Sequence, residues 1–473
     1  MNTPLKRRPN IRREVAAFTR RRLLLPTLIL ASIAAVSGCG GDGGGEGDGP
    51  GSAQLDLVIG NVLPLTGSSK ALGKSGEKAS ELAIARIEAA AGEVDADHAV
   101  RSVQGDQGKD PDAATEAAKT LVNDDRASCL VGPWSPDAVE QTADDIAIPS
   151  DVLEIAPVPA TEEVAELRDR DLVNSTALPE SLEGVALTKA IERDLGGEAE
   201  GQTVNVAASN DSYGDTLTQD FIEQWQDDDG TVGGQIVLAP PPLSSSSSSG
   251  STTTGGYSGS SGSSSTYSAQ AQQITSGSPD AIVLINDLDG FSLLAPALTS
   301  SFAWDPETAW GSDQLVSPAL PALVGSEAVE GMRALAPGAP KGEEASAAFV
   351  QEFKSADPPD VRLAPFAAQQ FDATVLCYLA AVAAGSTDGQ KTADELIDIT
   401  APGGTKFSWQ QLPDAIAALE EGEDIDYTGA SGPIDMDVSG NPTSGVFDVY
   451  QYTGDRLEVI DEVSVEKPNP AAP

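Results

Sequence analysis

Two short segments of this sequence have the residue order of a helix N-terminus, where proteins commonly bind carboxylates. Ser135 is followed by Pro136 and Asp137, an order typical of an N-cap, a first-turn proline and a first-turn acid. Thr161 precedes an acid-rich turn and is a second candidate N-cap. The first turn of a helix presents unpaired N–H groups and the positive end of the helix dipole. The two hydroxyls either only cap their helices or also contact an anionic ligand, and we expect both roles together.

Other patterns that carry chemistry are sparse. The 473 residues include one histidine and three cysteines, too few for a zinc cluster or a disulfide-stapled small fold. A serine–histidine–acid triad would have to use His98, which we expect to be structural. Residues 38–43 match a dinucleotide-binding glycine pattern but follow no strand, and residues 435–446 lack the final acid of a calcium loop. We therefore predict no catalytic residue, no cofactor and no metal site.

The charge balance excludes a further class of partner. The chain has 28 Lys and Arg against 73 Asp and Glu, a formal net charge of −45. Nucleic-acid binders need cations to neutralise phosphates, so a nucleic-acid partner is not expected.

Cys129 falls in a predicted strand and Cys377 in a predicted helix. A disulfide between these two cysteines is one reading of the sequence. We expect instead two buried free thiols, because unpaired cysteine is among the most buried residue types.

Residues 1–38 have the features of a bacterial lipoprotein signal peptide. Eight Lys and Arg side chains precede or border an apolar stretch at 23–36, which is short for a membrane span. Small residues precede Cys39, the expected lipidation site. A Gly- and Asp-rich tether follows within 39–54 and would be a flexible spacer. The mature protein is therefore expected on the outer side of a membrane, anchored through lipid at Cys39.

Strand and helix patterns alternate along the rest of the chain, which predicts an α/β fold with parallel sheets. The predicted strands lie at 55–63, 98–104, 129–132, 152–156, 204–209, 234–239 and 281–285, with helical patterns between them. Further helical patterns follow at 343–356, 365–384 and 409–421. A break near 171–181 divides the strand patterns into two series, so we predict two α/β lobes in tandem.

Two segments depart from this alternation. Residues 244–268 are almost entirely Ser, Gly and Thr, and such a composition predicts a disordered insert because it buries little apolar area. Near the C-terminus, residues 432–438 and 445–453 are read as a hairpin around Ser439, Gly440, Asn441 and Pro442. A last strand is predicted at 457–463 and a disordered tail at 464–473.

The order of several short motifs resembles a known family. Asn61-Val62-Leu63-Pro64-Leu65-Thr66-Gly67 follows the first strand, and later come Leu130-Val131-Gly132-Pro133-Trp134-Ser135, then Ala156-Pro157-Val158-Pro159-Ala160-Thr161, and then Asn210-Asp211-Ser212-Tyr213-Gly214. This arrangement, from about residue 55 to 463, resembles the type I periplasmic binding proteins that serve branched-chain amino-acid ABC transporters. The resemblance implies two Rossmann-like lobes with parallel central sheets, joined by a three-strand hinge.

The resemblance also implies a set of ligand contacts. Residues matching Ser135 and Thr161 hold the ligand's carboxylate and amine in that family, and the residue matching Tyr213 closes from the second lobe. An acid after a second-lobe strand pairs with the α-ammonium. Asp313, in Trp310-Gly311-Ser312-Asp313, fits that place, and Asp287 and Asp289 are weaker alternatives.

Apolar residues at three further positions would select the ligand's side chain: Leu72, Trp134 and Phe366. Ordinary core packing is the competing role for all three. Pro159 stands where the family commonly has a small residue, and it offers a carbonyl acceptor without an N–H. This difference puts one backbone contact, and with it the ligand class, in question.

We therefore predict the following division of the chain: lobe 1 from 55–172 and 337–428, and lobe 2 from 173–336 and 429–463. The expected function is capture of an amino acid, branched-chain or similar, by a monomer that delivers it to an ABC transporter permease. A ligand-sensing lipoprotein that feeds a receptor, a binder of amides or urea, and an enzyme are the alternatives. The absence of a nucleophile motif counts against the enzyme.

Overall fold

The computed structural model describes residues 54–159, 161, 164, 167–238, 263–301, 303–359 and 361–467. The signal peptide, Cys39 and most of the tether and insert that the sequence predicts lie outside these residues. In the described part the chain forms a five-stranded sheet, a seven-stranded sheet and a small two-stranded sheet. No helix in the described part is long and apolar enough to cross a membrane.

The first sheet is entirely parallel. Its strands are β1 (Leu55–Leu63), β2 (His98–Asp106), β3 (Cys129–Val131), β4 (Leu153–Ala156) and β5 (Val173–Ser175). They lie in the order β2-β1-β3-β4-β5, with Leu55 opposite His98 and Ile59 opposite Cys129. Strand β1 is buried along nearly its whole length, as expected for a central parallel strand covered on both faces.

Helices from two separate parts of the chain cover this sheet, and together they form the first lobe. They are Lys70–Glu93, Pro111–Asn123, Pro136–Thr142, Ile148–Ser150, Glu344–Ser355, Ala367–Ala384, Gly389–Thr400 and Leu412–Glu420, with a π-helical turn at Ala143–Ala147. One apolar cluster joins β1 residues such as Ile59 to Phe349 and Phe371 of the later helices. The return of the chain after the second sheet therefore completes the first core.

A disulfide bond joins Cys129 of β3 to Cys377 of the helix Ala367–Ala384, with 6.1 Å between the Cα atoms. The expectation of two free thiols is therefore wrong. The two residues are 248 positions apart, and only packing of the later helix against the sheet brings them together. The cross-link connects the two sequence segments of the first lobe.

The second sheet repeats the plan of the first. Its strands are β6 (Thr203–Ala208), β7 (Thr231–Val237), β8 (Ala281–Ile285), β9 (Ala309–Gly311), β10 (Arg333–Pro337), β13 (Ser444–Thr453) and β14 (Arg456–Glu466). The parallel strands lie in the order β7-β6-β8-β9-β10, the same order as in the first sheet. Strands β13 and β14 extend the sheet as an antiparallel pair beside β10.

The helices of the second lobe come from the middle of the chain. They are Glu180–Leu195, Ser212–Asp227, Ser263–Ile274, Leu288–Thr299 and Leu320–Val324, with 3-10 turns at Pro306–Thr308, Asp313–Leu315 and Ser326–Ala328. The helix beginning at Ser263 overlaps the segment 244–268 that the sequence predicts to be disordered. The last part of that prediction is therefore wrong, and residues 244–262 lie outside the described residues.

The hairpin near the C-terminus is displaced from its predicted position. Strand β13 pairs with β14 through the turn at Gly454. Residues 432–438 form no strand and make two isolated bridges, from Pro433 to Thr428 and from Met436 to Pro442. The Ser439–Pro442 segment is a turn, as its residue types suggest, but it is held within the crossing segment. Strand β14 also runs to Glu466, beyond the predicted strand end and into the predicted tail.

The chain crosses between the lobes after β5, after β10 and after β12 (Ile425–Thr428), which pairs with β11 (Thr405–Ser408). Because β5 pairs with β4 in the first sheet, the first lobe continues past the predicted boundary at 172 to Ser175. The other predicted boundaries stay a prediction.

Hydrogen bonds anchor the third crossing to the first lobe. The buried carboxylate of Asp372 accepts hydrogen bonds from Tyr427 Oη, from the backbone N–H groups of Ala430 and Ser431, and from Ser431 Oγ, at 2.6–3.0 Å. Ser175 of the first crossing donates its N–H to the carbonyl of Gly440 in the third. The crossing segments are thus tied to a helix and to one another.

Candidate ligand-binding cleft

A cavity of about 230 Å³ lies where the carboxyl ends of strands from both sheets meet. Open α/β sheets place ligands at this edge, where the strand order reverses on either side of the first strand. The residues that the sequence predicts and that line the cavity are Leu72, Trp134, Ser135, Tyr213, Asp313 and Phe366. The two lobes therefore bring six of the eight predicted ligand contacts to one place.

The first-lobe wall of this cleft is apolar and aromatic. The rings of Trp134 and Phe366 meet edge to face with 5.9 Å between centroids, and Leu72 packs in the same cluster. Trp134 Nε1 donates a hydrogen bond to Gln370 Oε1 at 2.8 Å. A Cβ on Gly76 would lie 2.4 Å from Trp134 Cζ2, so the glycine provides room for the indole. Trp134 is held from several sides.

Ser135 stands at the N-cap position of the helix Pro136–Thr142, as the sequence predicts, and it is half-buried. Its side chain makes no capping hydrogen bond, so the expected capping role is wrong. Because the residue has extended backbone dihedrals and lines the cavity, its hydroxyl and the first turn of the helix are on the cleft side.

Thr161 and Pro159 are buried but are not among the residues that line the cavity. Thr161 Oγ1 accepts a hydrogen bond from the backbone N–H of Val164 at 3.2 Å, which is the capping interaction that the sequence predicts. Most of the helix expected after Thr161 lies outside the described residues. Val158 lines the cavity instead. The expected contact of these two side chains with the cavity is therefore not observed.

The second-lobe wall contains a buried polar cluster. Tyr213 Oη donates a hydrogen bond to Asp313 Oδ1 at 2.6 Å, and the backbone N–H of Asp313 donates one to Glu183 Oε1 at 2.9 Å. Asp313 begins a 3-10 turn directly after β9, and Tyr213 lies in the first turn of the helix after β6. The carboxyl ends of two strands thus position the phenol and the carboxylate.

Burial dominates the electrostatics of this cluster. It raises the pKa of Asp313 to about 6, while the hydrogen bond from Tyr213 acts in the opposite direction. Burial, and then the neighbouring charge of Asp313, raises the pKa of Glu183 well above the usual value. Burial and the charge of Asp313 therefore favour the protonated form of Glu183, and with a pKa of about 6 Asp313 is mostly ionised at neutral pH.

Glu183 is a member of this cluster that the sequence patterns do not predict. Its helix, Glu180–Leu195, buries Leu182, Ala186 and Leu187 along with it. An acid on the apolar face of a helix is rarely unpaired, and this is the signal that could have identified the residue.

Two further carboxylates at the mouth are the weaker alternatives that the sequence suggests. Asp287 caps the helix Leu288–Thr299, where its side chain accepts a hydrogen bond from the Gly290 N–H at 2.6 Å. Asp289 follows it, and both line the cavity with Asp211. Burial, followed by Asp289 and Asp211, raises the pKa of Asp287. Within the described residues no group of three or more His, Cys, Asp or Glu side chains is arranged to hold a metal ion.

The family model for periplasmic binding proteins matches residues 56–456. The chain belongs to the periplasmic binding protein family. This family consists of extracytoplasmic solute-binding proteins of ABC transporters. No curated protein sequence gives a match.

Several solved structures share this protein's fold. A leucine-binding protein from Thermotoga maritima aligns with a TM-score of 0.63 and 20% identity, over 87% of this chain and 99% of that one. A branched-chain amino acid transporter substrate-binding protein from Streptococcus pneumoniae, in complex with isoleucine, aligns with a TM-score of 0.64 and 16% identity, over 87% and 100%. An ABC transporter solute-binding protein from R. palustris, in complex with benzoate, has a TM-score of 0.61 and 19% identity, over 88% and 98%.

These likenesses confirm the predicted type I periplasmic binding protein fold. At such low identity these structures show the fold alone. The ligand of this binding protein has to be inferred from the side chains in its own cleft.

Proposed function

We propose that this chain is the substrate-binding component of an ABC transporter and captures an amino acid, branched-chain or similar, between its lobes. The observation that carries the proposal is the hydrogen-bonded pair Tyr213 and Asp313 on the second-lobe wall of the cleft. A buried carboxylate that is charged at neutral pH is costly unless it meets a cation. The ammonium group of an amino acid is a cation of suitable size for the small cavity.

The opposite wall suits the rest of an amino acid. The first turn of the helix Pro136–Thr142 and the hydroxyl of Ser135 offer hydrogen-bond donors for the ligand's carboxylate. Leu72, Trp134 and Phe366 offer apolar area for an aliphatic side chain. In this proposal Thr161 and Pro159 do not contact the ligand, and they pack beneath the residues of the first-lobe wall.

Binding would draw the lobes together without any covalent step. A ligand that contacts Ser135 in one lobe and Asp313 in the other binds best when both walls are close, so it shifts the population toward a closed form. The closed form would then deliver the ligand to a membrane permease.

The site of action is proposed to be the outer side of a membrane, with lipid at Cys39 as the anchor and the protein as a monomer. The Cys129–Cys377 disulfide supports this location, since disulfides persist in oxidising compartments and are rare in the cytosol.

Thermal unfolding of the purified protein with a panel of ligands tests the proposal. The panel contains amino acids with aliphatic, polar, acidic and basic side chains, together with amides, urea and benzoate. A ligand that binds only the native protein raises its melting temperature. We expect an aliphatic amino acid to give the largest shift. A shift with benzoate or an amide, and none with any amino acid, would contradict the proposed ligand class.

A further inference from the structure

A second and larger cavity, of about 760 Å³, lies beside the cleft. The helix Glu344–Ser355 and the segment before the helix Ala367–Ala384 form one side, and the β13–β14 hairpin forms the other. The crossing segment after β10 closes one end. Phe366 lines both cavities, and it has a left-handed backbone with φ of 66°. This volume is within the range of small-molecule sites in proteins.

Apolar groups form much of the lining of this second cavity. They include Val350, Leu363, Pro365, Ala368, Leu457 and Val459. Val459 is 43% exposed, although it belongs to the β14 strand. An alkyl or aryl group in the cavity would remove such surface from water, which is favourable in proportion to the area covered.

One hydroxyl in the lining has no partner. Ser346 is 5% exposed, and its Oγ makes no hydrogen bond in the described part of the chain. A buried hydroxyl without a partner costs free energy that a bound polar group would recover. The lining therefore offers an unused hydrogen-bonding position within an apolar surface.

A half-buried carboxylate lines the other side of the cavity. A Cβ on Gly338 would lie 2.6 Å from Asp448 Cγ, so the carboxyl group of Asp448 occupies the space that a side chain would fill there. Among the described residues its carboxylate takes part in no hydrogen bond or ion pair. Burial raises the pKa of Asp448 to about 6, with Lys341 lowering it and Glu462 raising it.

None of the basic side chains that line the described cavity forms an ion pair with this carboxylate. Lys341 Nζ lies 4.0 Å from Glu462 Oε2 in an ion pair, and Arg456 pairs with Glu458 at 2.8 Å. Arg362 is exposed at the rim. The other charged residues that line the described cavity are all exposed: Lys341, Glu343, Arg362, Asp455, Arg456 and Glu458. Asp448 therefore places its charge deeper in the cavity than they do, and this charge favours a cation.

We propose that this second cavity is an accessory binding site for a small molecule with an alkyl or aryl body and one ammonium group, which pairs with the carboxylate of Asp448. The apolar lining covers the body of the ligand, and Ser346 offers it one hydrogen bond. Such a molecule contacts helices of the first lobe and strands of the second together. Its binding is therefore linked to any relative movement of the lobes.

Titration calorimetry with three probes of matched size tests the site: 2-phenylethylamine, 2-phenylethanol and phenylacetate. We expect the amine to bind most tightly. Two variants separate this cavity from the cleft. Asp448→Asn removes the charge and should weaken the amine at least fivefold. Ala347→Trp introduces a large ring at an exposed helical position that lines the cavity, and it should abolish binding there.

Asp461→Asn is the matched control, because Asp461 is an exposed acid on β14 outside the cavity. It should leave the affinity for the amine unchanged. Thermal unfolding of each variant verifies that it is folded. Equal or tighter binding of phenylacetate would overturn the assigned ligand class. Amine binding that survives Ala347→Trp, or the absence of binding by all three probes, would overturn the site.

Discussion

The two walls of the cleft differ in the kind of complementarity that they offer. The first-lobe wall presents Leu72, Trp134 and Phe366, whereas the second-lobe wall presents the carboxylate of Asp313 hydrogen-bonded to Tyr213. Apolar contact scales with area and tolerates small displacements, but a buried carboxylate is stabilised only by donors or cations placed at hydrogen-bond distance. The comparison indicates that the first wall selects the side chain of a ligand and the second selects its ammonium group.

The largest expected effect comes from Asp313→Asn. The change keeps the shape of the side chain and removes its charge, so an amino acid loses its proposed ammonium partner in a desolvated site. We expect the affinity for the best amino-acid ligand to fall by about 100-fold, in line with about 2–3 kcal/mol for a hydrogen bond between charged groups. Titration calorimetry measures this change. An unchanged affinity would remove Asp313 from the site.

The same variant has a predictable effect on the ligand-free protein. Because burial raises the pKa of Asp313 to about 6, its contribution to stability is present below the unfolded pKa and is lost as pH rises through 6. At pH 7.5 the asparagine should therefore raise the free energy of unfolding, by about 1–2 kcal/mol. Denaturant unfolding checks this, with the exposed Asp461→Asn as a control. Lower stability together with lost binding would point to a misfolded variant.

A second effect should appear as pH dependence. Ammonium binding needs ionised Asp313, and its pKa of about 6 lies within the pH range of the experiment. Lowering the pH from 7.5 to 5 protonates about nine tenths of a carboxyl group with a pKa near 6, so the affinity should fall about tenfold. Calorimetry at several pH values measures this profile. Its persistence in Asp313→Asn would assign the titration to another group.

A smaller effect is expected for Tyr213→Phe. The variant removes one hydrogen bond to the carboxylate, a loss of about 1 kcal/mol or about fivefold in affinity. Since that hydrogen bond lowers the pKa of Asp313, the midpoint of the pH profile of binding should also move to higher pH. A profile that stays in place would mean that the phenol does not act on the carboxylate.

The smallest effect is expected on the first wall. Leu72→Ala removes apolar area, which should reduce the affinity for leucine about threefold more than the affinity for alanine. The ratio of the two affinities is the measurement, because it cancels any general loss of binding. Equal losses for leucine and alanine would show that Leu72 serves the core and not the selection of side chains.

Much of the fold was predictable because its signals are local. The strand Leu55–Leu63 can be recognised from its apolar run, and the helix Ala367–Ala384 from its helical pattern, in each case within one short stretch of sequence. The strands Val173–Ser175 and Ala309–Gly311 have three residues each. Segments so short have no periodicity, and they are strands only because their neighbours in the sheets pair with them.

The candidate site also has features that the sequence predicts and features that only packing determines. Ser135 and Thr161 have the same N-terminal pattern, yet only the first lines the cavity, and only the second makes a capping hydrogen bond. Residue order specifies a helix start. Whether the first turn of that helix faces the cleft depends on the packing of the whole lobe.

Residue types and their order along the chain were enough to indicate an α/β binding protein, its acidic composition and six of the residues that line its cleft. Packing decided which distant groups meet. Tyr213 and Asp313 are 100 positions apart, and Cys129 and Cys377 are 248 apart. No local rule relates such pairs, because their separation is set by how two sheets and their covering helices close over shared cores.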